Sequence, residues 1–127
     1  MRAIDTNVLV RLMARDHPAQ FQAAEAFTAP GAWVSHVVLA EAVWVLDSVY
    51  GLGPSEIATG LRVLLDHKSL TLQDPPAVEA ALELYRRRPG LGFSDCLILQ
   101  TARLAGHQPL GTFDRDLGRA PGAQRIP

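Results

Sequence analysis

The chain has 127 residues, 48% hydrophobic and 20% charged, with 13 acidic side chains against 12 Lys and Arg and a formal net charge of −1. That length predicts a single domain, residues 1–127, able to bury a core without staples, and the one cysteine excludes an internal disulfide. The charge balance excludes a protein that holds nucleic acid by bulk positive charge, but not one that uses metal ions and a local basic patch.

Met1 to Ile4 reads as a strand that ends on Asp5, and Val8, Leu9, Leu12 and Met13 then recur at helical spacing. Asp16-His17-Pro18 predicts a capping acid followed by Pro at the start of a second helix, with Phe21, Ala24 and Phe27 on one face and Pro30-Gly31 as the stop. Ala32-Trp33-Val34 is a short strand. Ser35 or His36 opens a long helix to about Tyr50, and Pro54 opens another with Ile57, Leu61, Leu64 and Leu65 inward. Residues 69–73 alternate as a strand, and Pro75-Pro76 starts a helix to Arg88. Ser94 is the expected cap of a helix from Asp95 to about Ala105; residues 109–112 and 124–126 are the last strands. Strands that alternate with helices need crossover connections, so the predicted class is α/β with a mostly parallel sheet covered on both faces. No membrane segment is expected: Asp5 interrupts the first apolar run, and residues 37–49 are too few and contain Glu41 and Asp47. The cytoplasm is the expected compartment.

Four carboxylates stand out. Asp5 and Asp114 each follow a predicted strand, where open α/β sheets place their ligands. Glu41 has Val37, Val38, Trp44 and Val45 as helical neighbours, which predicts a place on a buried face, where a carboxylate must be paired, protonated or metal-bound. Asp95 lies on the stripe of Ile98, Leu99 and Ala102. Each has a plain structural alternative: a salt bridge for Glu41, pairing with the helix dipole for Asp95, a turn or cap for Asp114. Together they predict convergence at one sheet edge. Repulsion among four carboxylates there is relieved by a hard divalent cation, Mg²⁺ or Mn²⁺, suited to phosphoryl chemistry.

Asp5-Thr6-Asn7-Val8-Leu9, Glu41, Ser94-Asp95 opening the helix through Ala102, and Thr112-Phe113-Asp114 are the residues by which the whole chain resembles a PIN domain. Among PIN domains it resembles a VapC-type ribonuclease toxin of a bacterial toxin–antitoxin pair. The resemblance implies a three-layer α/β/α sandwich with a five-stranded parallel sheet and a metal-dependent endoribonuclease that cuts RNA with activated water. It implies Asp5, Glu41, Asp95 and Asp114 as the metal-binding, catalytic acids, with Asn7 and Thr112 positioning ligands or water behind them. It also implies a homodimer and a cognate VapB-like antitoxin as inhibitor.

Weaker candidates are Asp116 as a spare ligand, and Arg11 and Arg86 as phosphate contacts; Arg86-Arg87-Arg88 reads more simply as a solvated helix end. Trp33, Trp44 and Tyr85 read as core, and Cys96 as a small core residue. The apolar excess of residues 43–49 suits a dimer interface. Two other readings compete with this one. A Mg²⁺-dependent small-molecule phosphohydrolase of the haloacid-dehalogenase type wants a second Asp where Asn7 stands, and a Lys in a later motif. A non-catalytic PIN-like binding module predicts no metal-dependent activity.

Overall fold

Proline and glycine set most of the element boundaries. The computed structural model describes residues 1–127, with β1 (Arg2–Ala3), α1 (Thr6–Ala14), α2 (Pro18–Thr28), β2 (Ala32–Val34), α3 (His36–Ser48), α4 (Pro54–Leu65), β3 (Leu70–Leu72), α5 (Pro75–Arg87), α6 (Phe93–Leu104), β4 (Leu110–Thr112) and β5 (Ala123–Arg125). Short 3₁₀ turns lie at Pro89–Leu91 and Leu117–Arg119. Pro18, Pro54 and Pro75 all stand at the first helical position, where the missing N–H has no intrahelical partner to lose. No helix is long and apolar enough to cross a membrane. The chain falls into two compact units, Met1–Pro75 and Pro76–Pro127.

In the first unit β1, β2 and β3 form a parallel sheet in that order, with Arg2 opposite Ala32 and Trp33 opposite Thr71. α1 packs against α2 and α3. Leu9, Val34, Leu39, Leu46 and Leu61 are buried there. Ser35 caps α3 as expected, accepting the Val38 N–H at 3.1 Å. The start of α3 is tied to the end of β3: the His36 N–H donates to Gln73 Oε1 at 2.9 Å, and the His36 ring Nε2 lies 2.8 Å from the Gln73 carbonyl.

Three expectations fail in this unit. The cap of α2 is His17, whose Nδ1 accepts the Gln20 N–H at 3.2 Å; Asp16 turns instead to Arg11 and Tyr50. The Tyr50 hydroxyl holds the Asp16 carboxyl below its ordinary value. The sheet is not covered evenly on both faces: Ala32, Val34, Leu70 and Leu72 are buried, whereas Trp33 and Thr71 are exposed. Trp44 is 63% exposed, so of the aromatic residues expected in the core only Tyr85 is fully there.

In the second unit β4 and β5 pair in parallel, with Gly111 opposite Gln124. The strands therefore lie in ladders of three and two rather than one ladder of five. α5 buries Val78, Ala81, Leu82 and Tyr85, and the Tyr85 and Phe93 rings meet edge to face with centroids 6.0 Å apart. That contact anchors the start of α6. Its cap is Gly92, at φ +80°, and not Ser94, which is exposed. Burial of Phe93 draws the helix start back to residue 93, and only glycine takes that φ without strain.

Candidate metal-binding carboxylates

Asp5 sits between β1 and α1. The ladder ends with the Ile4 N–H donating to the Trp33 carbonyl at 3.2 Å, and the chain turns into α1 at the next residue. Asp5 caps that helix: Oδ1 accepts the Val8 N–H at 3.1 Å, and the Asp5 carbonyl accepts the Leu9 N–H. Thr6 then reaches Glu41. Its hydroxyl donates to Glu41 Oε2 at 3.4 Å, a long bond that ties the start of α1 to the middle of α3. Spacing assigned Thr6 no role, although it stands directly after Asp5.

Glu41 is exposed, contrary to expectation. α3 buries Leu39, Ala42, Val43 and Leu46, and leaves Val37 67% exposed beside Trp44 on the Glu41 side. The helix is apolar on nearly every side, so periodicity offered no contrast from which to choose the buried face. The desolvation argument for Glu41 therefore falls.

In the second unit Asp95 lies in the first turn of α6 and is half-buried. Of its expected stripe, Leu99 is buried and Ile98 is 53% exposed. Burial, and then the negative charge of Asp114, push the Asp95 carboxyl above its ordinary value. Asp114 follows β4 by two residues. The Thr112 hydroxyl accepts the Asp114 N–H at 3.0 Å, Asp114 Oδ1 accepts the Leu117 N–H at 2.8 Å, and its carbonyl accepts the Gly118 N–H. Buried Leu117 pins the far side of this turn. Both strand-exit acids thus commit one oxygen to an N–H three residues on, which orients the carboxylate and leaves its second oxygen free of protein donors.

The PIN domain family model matches residues 3–123. The chain belongs to the PIN domain family. PIN domains are generally metal-dependent nucleases and use divalent ions. None of the curated proteins and none of the solved structures compared with the chain matches it.

In this PIN domain Asp95 and Asp114 interact through their charges, while Glu41 is reached by Thr6, the chain neighbour of Asp5. No group of three or more His, Cys, Asp and Glu side chains is arranged as a ready-made metal site. The donors themselves fit a hard divalent cation, being all carboxylate oxygens, and the repulsion that raises Asp95 is what such an ion relieves.

Among the weaker candidates, Asp116 is exposed and precedes the 3₁₀ turn. Arg86 is exposed, but Arg88 is not part of a solvated end: its Nη2 donates to the Asp116 carbonyl at 3.2 Å. Asn7 is exposed on α1, and Arg11 is held by Gln20, Asp16 and Tyr50.

Cys96, next to Asp95, is fully buried, and burial pushes its thiol up to about 11. At pH 8 the folded chain then holds roughly 10²-fold less thiolate than an unfolded one. Alkylation by iodoacetamide at pH 8 is expected to be negligible until urea unfolds the protein. Rapid labelling of the folded chain would contradict the burial of this helix.

Proposed function

We propose that the chain is a VapC-type ribonuclease toxin: a Mg²⁺- or Mn²⁺-dependent endoribonuclease that hydrolyses RNA phosphodiester bonds in the cytoplasm, as one PIN domain of the three-layer α/β/α kind. The observation that supports it most is the matched pair of strand-exit acids. Asp5 and Asp114 are each oriented by a backbone N–H and keep a free oxygen, in a chain that is a PIN domain from residue 3 to 123.

In this reading Asp5 and Asp95 are the first direct ligands, with Glu41 and Asp114 completing the acidic set. A bound divalent ion lowers the pKa of water and neutralises charge on the phosphate. The residues of the chain do the holding. The Val8 and Leu117 N–H groups orient Asp5 and Asp114, Thr6 steadies Glu41, Thr112 fixes the backbone of Asp114, and Asn7 stands by to position water. Val37 and Trp44, exposed on α3, are the apolar surface that supports a homodimer. A cognate VapB-like antitoxin is the proposed inhibitor.

The test is cleavage of RNA by the purified chain with Mg²⁺ or Mn²⁺. Cleavage is expected to vanish in EDTA and to return when metal is restored in excess. Turnover of a small phosphate monoester without RNA cleavage would point to the phosphohydrolase alternative. A neighbouring reading frame for a small DNA-binding protein would support the toxin assignment.

A further inference from the structure

Beside Asp5 in the first unit is an open recess of about 350 Å³, lined among others by Asn7, Val8, Arg11, Gln20 and Phe27. Its walls are largely apolar, and its polar groups are held in place. Arg11 Nε donates to Gln20 Oε1, and Nη1 donates to Asp16 Oδ1 at 3.3 Å and to the Tyr50 hydroxyl at 3.1 Å. Tyr50 in turn donates to Asp16 Oδ2 at 2.9 Å. The guanidinium is thereby fixed with Nη2 left over. Gln20 Oε1 already accepts from Arg11, and the Gln20 amide nitrogen remains as a donor. On Phe27, the Arg2 guanidinium stacks 4.5 Å from the ring centroid and donates to the Phe27 carbonyl at 2.9 Å, which steadies the ring from outside the recess.

The recess thus presents leftover N–H donors and an aromatic ring to whatever lies next to Asp5. Its size suits a small planar group, and its donors suit a group rich in acceptors. A nucleobase has both properties, with apolar faces and carbonyl or ring-nitrogen acceptors on its edge. A base can enter only when unpaired, since duplex RNA hides its edges. With a net charge of −1, the chain needs local contacts of this kind to hold RNA.

We infer that the recess of Arg11, Gln20 and Phe27 is a base subsite, taking one unpaired nucleobase of single-stranded RNA adjacent to Asp5. The assignment rests on the ribonuclease reading for its substrate. It adds a place where one base is held and where sequence choice is made.

The probes are a fluorescein-labelled eight-nucleotide single-stranded RNA and an abasic octamer with the same ribose–phosphate chain. Binding is read by anisotropy with Mg²⁺ in an Asp95→Asn background, to prevent cutting. Ala23 is exposed on α2 and lines the recess, so Ala23→Trp fills it without disturbing the core. Ala23→Trp is expected to weaken the RNA octamer roughly tenfold, the scale of one lost base-stacking contact, and to leave the abasic octamer unchanged. Gln20→Leu, which removes the donor, should act in the same direction. Equal RNA affinity in all variants, or an equal loss for the abasic chain, overturns the base subsite.

Hydrolysis of bis-p-nitrophenyl phosphate by the wild-type chain with Mn²⁺ reads the metal chemistry separately. If that hydrolysis and RNA cleavage are absent while the tenfold binding loss is seen, the ribonuclease reading fails and the base subsite stands. If hydrolysis occurs and RNA affinity is unmoved, the reverse holds.

Discussion

Asp95→Asn is expected to lower metal-dependent RNA cleavage by about 10²–10³-fold with the fold intact. The substitution keeps the shape of the side chain and removes one anionic ligand from a site whose metal contributes several kcal/mol to the transition state, at about 1.36 kcal/mol per tenfold. Folding should not suffer. The Asp95 carboxyl is raised by burial and by Asp114, so its ionised form is disfavoured in the folded chain. Above the raised value that charge opposes folding, and the opposition fades as pH falls through it. A neutral Asn removes it, so the metal-free variant should melt no lower than wild type at pH 7. The decisive comparison is kcat for RNA in Mg²⁺ alongside Tm in EDTA. A variant that cuts as fast as wild type would show that Asp95 is not a ligand.

Leu9→Ala is expected to destabilise the chain by about 2–5 kcal/mol, the range for a fully buried leucine whose cavity cannot close. Leu9 is 0% exposed, on the helix that packs against both α2 and α3. Against a total stability of about 5–15 kcal/mol for a domain, that is a large fraction. The loss also reaches function, because Asp5 is oriented by the first turn of the same helix. Val63→Ala, at a position 55% exposed on α4, should stay within about 0.5 kcal/mol. Urea midpoints at constant m-value separate the two. Similar midpoints for both variants would mean that α1 is not packed as described.

The two effects differ in kind, and the sequence was not equally informative about them. Leu9 was legible as core because α1 is amphipathic: Val8, Leu9, Leu12 and Met13 stand out against Thr6, Asn7 and Arg11. α3 lacked that contrast, which is why Glu41 was expected inside and lies outside. Cap positions slipped by one or two residues at His17 and Gly92. Several nearby residues there have the chemistry to cap, and a distant contact, Tyr50 on Asp16 or Tyr85 on Phe93, settles which one does.

By itself the sequence determined the alternation of strands and helices, most helix starts, the parallel pairing and the positions of Asp5, Asp95 and Asp114 at strand exits and a helix start. These follow from proline, glycine and hydrophobic spacing, which act within a few residues. Only the tertiary structure decided the division of the strands into two ladders, the exposed side of α3, the Thr6 bond to Glu41 and the recess beside Asp5. Each of those depends on which surfaces meet across a dozen or more positions of chain, from 13 between β4 and β5 to 35 between Thr6 and Glu41, and local spacing carries no record of such meetings.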